Sequence, residues 1–81
     1  MDKDQMLEKL RSILKEEVGI NQDVQLTTAL VRGGIMDSMQ FLNYLIWVEE
    51  NFKVSIPAED VIKHQLGVMS NMVNYLAQKE S

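Results

Sequence analysis

Apolar residues recur along most of this chain at the three- and four-residue spacing of a helix, and the few β-branched residues never alternate over a strand length. From Asp2 to Val18, the residues Met6, Leu7, Leu10, Ile13 and Leu14 share one stripe of a helical wheel. Asp2 and Gln5 have the spacing of a capping box at its start, and Gly19 suits its end. A second helix is predicted from Ser38 to about Asn51, with Phe41, Tyr44, Leu45, Val48 and Phe52 as its core stripe. Ser55-Ile56-Pro57 then breaks the pattern. Pro57 suits the first turn of a short third helix, where Glu59 and Asp60 complement the dipole. Gly67 separates it from a fourth helix, about Ser70 to Lys79, with Met69, Met72, Val73 and Leu76 facing inward.

Between the first two helices lies a long connection, Ile20 to Gly34. It is polar at first and is expected to be anchored by Leu26, Leu30 and Val31. Connections of this length in a compact domain are usually functional or pinned by their own apolar contacts. The predicted class is all-α: a small four-helix bundle with a long first loop and a short third helix, in one domain over residues 1–81.

Composition narrows the chemistry. Eighty-one residues with 46% apolar content give one modest core, too small to enclose a deep catalytic cleft. Without cysteine there can be no disulfide, thiolate metal site or thiol nucleophile. A formal charge of −4 and a pI near 4.8 disfavour nucleic acid and favour partners with basic patches. No apolar run approaches the roughly 20 residues that span a bilayer, and no signal-peptide layout is present, so a cytoplasmic monomer is expected. His64 has no ligand cluster around it. The adjacent pairs Glu16-Glu17 and Glu49-Glu50 diverge on a helix and cannot share a proton. Neither a metal site nor a catalytic group is predicted.

The candidate functional residue is Ser38, in Gly33-Gly34-Ile35-Met36-Asp37-Ser38-Met39, directly before the most hydrophobic helix. A hydroxyl at the positive end of a helix dipole is well placed to carry a phosphate ester. A purely structural account also fits. Asp37 can be the N-cap, Gln40 the third residue of a capping box, and Met36 with Phe41 a hydrophobic staple. That account leaves two glycines and the hydroxyl without a purpose.

Gly34-x-x-Asp37-Ser38-Met39, the run Glu49-Glu50-x-Phe52-x-Val54-x-Ile56-Pro57 and the closing Met72-Val73-Asn74-Tyr75-Leu76 together resemble the acyl carrier protein family over essentially the whole chain. The resemblance implies a non-enzymatic carrier. Ser38 would bear 4′-phosphopantetheine, delivered from coenzyme A by a phosphopantetheinyl transferase, and the thiol absent from the chain would arrive with the arm. Asp37 matches the acidic residue used in engaging that transferase. The arm would carry an acyl group as a thioester, loaded by a ligase or transferase and passed to biosynthetic enzymes. An aminoacyl or peptidyl carrier, including a D-alanyl carrier served by an adenylating ligase, shares the same serine chemistry. An unmodified helical interaction module would share the fold alone.

The chain also departs from the family pattern. Met39 stands where Leu is commoner, a swap of similar volume. Carriers of the dissociated fatty-acid pathway usually bear acids along the outer face of helix two. Here the matching Gln40 and Asn43 are neutral, and acid is retained at Glu49 and Glu50. Trp47 shares a side with Gln40, Asn43 and Glu50, either packing on the fourth helix or anchoring a partner. Met39, Gln40, Asn43, Trp47, Glu49 and Glu50 are therefore the expected partner surface, and the pathway is expected to be a specialised one. The segment Val61 to Met69 is longer than the family pattern. Met36, Met39, Met69 and Met72 either line an adaptable pocket there or fill the core.

Overall fold

A computed structural model describes residues 1–80; Ser81, the last residue of the expected domain, lies outside the described residues. The helical stripes read from sequence do meet around one core. Helix α1 spans Lys3–Ile13, α2 Ser38–Phe52, α3 Ala58–Lys63 and α4 Met69–Glu80, an all-α bundle with a long first connection and a short third helix. Met6, Leu7, Leu10 and Ile13 of α1, Tyr44, Leu45 and Val48 of α2, and Met69, Met72, Val73, Tyr75 and Leu76 of α4 are buried together. Helix α1 packs against α2 and α4.

The start of α1 follows expectation. The Asp2 carboxylate accepts the Gln5 amide at 2.8 Å, and Gln5 Oε1 accepts the Asp2 amide at 3.0 Å. Its end differs, because Leu14–Val18 widens into a π turn before Gly19 closes it at φ 83°. The wider turn keeps Leu14 wholly buried. Helix α2 ends on Lys53, left-handed at φ 57°, which no glycine signalled. Pro57 is the residue before α3 and not in its first turn: at ψ 149° it is extended. The α3 turn closes on a left-handed Gln65, at φ 50°, and Gly67 lies between α3 and α4 as expected.

The long connection is pinned, but by only one of the three anchors expected. Leu30 is fully buried, whereas Leu26 and Val31 are 42% and 39% exposed; Ile20, Val24 and Met36 are buried in their place. The connection is held chiefly through its backbone. Ala29 and Val68 form an isolated antiparallel bridge, and the Leu30 amide donates to the Gly67 carbonyl at 2.8 Å. The Met69 and Ser70 amides, the first of α4, donate to Thr28 at 3.0 Å and Leu26 at 2.8 Å. Two amides that no helical carbonyl can satisfy are thus capped by loop carbonyls.

Helix α3 buries no residue of its own. It is fastened at its edges, by half-buried Val61 against the core and by the Tyr75 hydroxyl donating to Asp60 Oδ2 at 2.6 Å. Burial pushes the Tyr75 hydroxyl up to about 12, helped by its bond to Asp60 and the charges of Asp60 and Glu49. Burial also raises Tyr44, which lies wholly inside. A phenol whose folded pKa exceeds its unfolded value of about 10 stabilises the fold fully below that pH and loses the contribution as pH climbs. Urea denaturation should therefore show stability falling as pH rises from about 10 to about 12. Tyr75→Phe should flatten part of that fall and leave the share due to Tyr44.

Candidate functional site

The site is built by a turn that must end with Asp37 extended. Leu30 is its pivot: its carbonyl accepts both the Ile35 amide at 3.0 Å and the Met36 amide at 3.1 Å. The two glycines serve this turn in different ways. Gly33 donates to the Ala29 carbonyl at 2.9 Å and lies so close that a Cβ would collide with that oxygen. Gly34 has open space around it but stands at φ 78°, the left-handed region that side chains disfavour.

Asp37 then caps α2. Its carboxylate accepts the Gln40 amide at 2.8 Å, and Gln40 Oε1 accepts the Asp37 amide at 3.0 Å, which completes the box expected from sequence. Ser38 is the first helical residue, exposed, and its hydroxyl bonds to no described residue. The Ser38 and Met39 amides likewise have no acceptor among the described residues. An exposed hydroxyl therefore stands beside two open N–H donors at the start of a fifteen-residue helix. A phosphate ester on Ser38 fits this donor set, which opposes its charge with amide hydrogens and the helix dipole.

The six residues expected to form a partner surface occupy different settings. Asn43 and Glu50 are exposed, and Met39 is 74% exposed, so Met39 lines no pocket. The other three methionines named with it, Met36, Met69 and Met72, fill the core. Gln40 is half-buried and committed to the capping box. Trp47 is half-buried against the core. Glu49 is half-buried, and its Oε2 accepts the Ile56 amide at 2.8 Å, so this acid ties the segment after α2 back to the helix.

Two outward residues escaped the sequence reading. Leu42 and Ile46 are each 54% exposed and form, with Met39, an apolar stripe at i, i+3 and i+7 opposite the core face. That spacing was visible in the sequence. It was masked because α2 is apolar nearly all round, and only packing tells the buried stripe from the exposed one.

Beside the start of α2 a half-open cleft of about 300 Å³ lies between the loop, α2 and α3, with Val31, Arg32, Phe41, Val61, Gln65 and Val68 among its walls. His64 is exposed, its ring 5.4 Å from that of Tyr75. Among the described residues no group of His, Cys, Asp or Glu could hold a metal ion, and no helix is long and apolar enough to cross a membrane.

Residues 8–76 match the family model described as "Phosphopantetheine attachment site". An acyl carrier protein of Kocuria rhizophila is 32% identical over 75 residues, which cover 91% of this chain and 90% of that protein. No solved structure matches the chain significantly.

The cap makes a prediction independent of any modification. Asp37→Ala should lower stability in urea by about 1 kcal/mol, while Asp37→Asn, an equally good cap, should stay within a few tenths.

Proposed function

This chain belongs to the acyl carrier protein family, whose members are non-catalytic carriers, and on that premise we propose that Ser38 is its attachment point for 4′-phosphopantetheine. The observation carrying the proposal is the exposed, unbonded Ser38 hydroxyl beside the open amides of Ser38 and Met39. In the transfer, Ser38 Oγ forms a bond to the phosphorus that bears the pantetheine of coenzyme A. The pyrophosphate P–O bond breaks, adenosine 3′,5′-bisphosphate leaves, and the serine proton passes to a base on the transferase. Once attached, the arm supplies the thiol that holds cargo as a thioester.

Asp37 holds its carboxylate on the Gln40 amide next to Ser38, and its negative charge opposes a phosphate there. Its service is to fix the helix start and to present an acid to the transferase, not to grip the arm.

The outer face of α2 is the docking surface in this reading. Met39, Leu42 and Ile46 supply apolar contact, Asn43 and Glu50 flank them, and the exposed part of Trp47 borders the face. Gln40 and Glu49 support the surface through their own hydrogen bonds. A face with one free acid and a central apolar stripe suits a partner that reads apolar complementarity more than charge. This supports a dedicated set of partner enzymes and a specialised pathway. Weak, quickly exchanging contacts suit a carrier that must visit several enzymes.

The test is intact mass after incubation with a broad-specificity phosphopantetheinyl transferase, magnesium and coenzyme A. Wild type should gain one phosphopantetheinyl adduct and Ser38→Ala none. No adduct on folded wild type, with the host's own transferase also tried, would leave the chain an unmodified binding module. The pathway reading should show as poor loading and elongation by generic fatty-acid enzymes; housekeeping rates would overturn it.

A further inference from the structure

Sulfur in this chain is confined to six methionine thioethers, since there is no cysteine. Four of them, Met6, Met36, Met69 and Met72, are buried in the core, and Met69 Sδ also accepts the Tyr44 hydroxyl at 3.9 Å. Met1 stands at the chain terminus, 53% exposed. Met39 is the most exposed of the six, at 74%, and takes no part in the core.

Its position sets it apart further. Met39 follows Ser38 directly and opens the apolar stripe that Leu42 and Ile46 continue. A thioether has a lone pair that attacks peroxide oxygen, whereas the hydrocarbon side chains of Leu42 and Ile46 have none. Beside Met39 stand its own amide and that of Ser38, which have no acceptor among the described residues. Side chains of a helix lean toward its N-terminus, so an oxygen added to this sulfur lies on the side of those donors.

We propose that Met39 is a site of reversible oxidation by peroxide, and that its sulfoxide disfavours docking of the transferase on the outer face of α2. The inference rests on that face and on Ser38 as the attachment point, and deepens the reading by naming what regulates it. In the forward step the Met39 sulfur attacks one oxygen of hydrogen peroxide, an S–O bond forms and the O–O bond breaks. Hydroxide leaves and takes the proton from the transferred oxygen, so the products are a sulfoxide and water. Sulfur loses two electrons and peroxide gains them. The return step consumes two thiols, which join as a disulfide while the sulfoxide oxygen departs as water.

The effect on docking follows from desolvation. As a thioether, Met39 offers flexible apolar contact next to the serine. As a sulfoxide it carries a strong acceptor, and burying that acceptor without a donor is unfavourable. In the free carrier the same oxygen has water and the first-turn amides as partners. Oxidation therefore favours the undocked state and leaves the core untouched.

The experiment treats the unmodified full-length chain with dilute hydrogen peroxide, removes the excess with catalase, and then measures phosphopantetheinyl transfer from coenzyme A. Peptide mass mapping should find oxygen on Met39 and Met1 before any core methionine, with the urea midpoint unchanged. Transfer to the oxidised protein should be several-fold slower, through a raised KM more than a lowered kcat, and methionine sulfoxide reductases with a dithiol should restore it. Met39→Leu retains Met1 and should hold its own starting rate through the same treatment. Met39→Gln, with a polar oxygen built in, should be slow without treatment. A core methionine oxidised as fast as Met39, an unchanged rate on the Met39 sulfoxide, or an equal loss in Met39→Leu overturns the inference and leaves the carrier reading standing. A lowered urea midpoint after oxidation also overturns it, since the loss would then be one of folding. No adduct on untreated protein overturns the Ser38 reading and this inference together.

Discussion

The structure depends on a backbone seam between the long first connection and the start of α4. Loop carbonyls at Leu26 and Thr28 accept the first amides of α4, and the Leu30 amide donates to Gly67. Each side supplies what the other lacks: a helix start has donors without partners, and an irregular loop has carbonyls without partners. Because the seam holds Leu30 in the core, it also fixes the turn that pivots on the Leu30 carbonyl. That turn sets where Asp37 is extended and Ser38 begins the helix. The cleft exists for the same reason, since its walls come from the two stitched segments together with Phe41 and α3.

Helix α2 reconciles two apolar demands on one cylinder. Tyr44, Leu45 and Val48 face the core, while Met39, Leu42 and Ile46 face outward on the opposite side. Its polar residues are spent largely on structure. Asp37 and Gln40 cap its start, the Asn51 side chain donates to the Trp47 carbonyl, and Glu49 takes the Ile56 amide. Asn43 and Glu50 are left free to present polarity outward. The outer face of α2 is thus markedly less charged than the net charge of the chain would suggest.

Helix α3 is the lightly held part of the bundle. It contributes no buried residue, exposes 80% of Ile62, and relies on Val61, the Tyr75–Asp60 bond and the neighbouring Leu66. Six residues form a marginal helix without tertiary support. Placing such an element against a small cleft lets the wall adjust at less cost than the α1–α2–α4 core, which is close-packed.

Much of this architecture was legible in the sequence because it is local. Capping boxes at Asp2/Gln5 and Asp37/Gln40, the left-handed stop at Gly19 and the apolar stripes of α1, α2 and α4 all lie within one or two helical turns, where spacing and residue type settle geometry. Ser38 at the start of α2 was legible for the same reason. The left-handed Lys53 and Gln65, the extended Pro57 and the anchoring of the first connection were not, since partners distant in sequence decide them. Leu26 and Val31 look as buriable as Leu30, yet only Leu30 meets the core, because the pairing of Ala29 with Val68 determines which way each neighbour faces. In the same way, Met39, Leu42 and Ile46 could have been core, and Glu49 a free surface acid. By itself the sequence determined the helices, their caps and the serine at a helix start, all set by contacts within a few residues. Which apolar face is buried, which acids are committed and where the Arg32 cleft opens were decided by tertiary packing, because those outcomes depend on pairings between segments that no local spacing encodes.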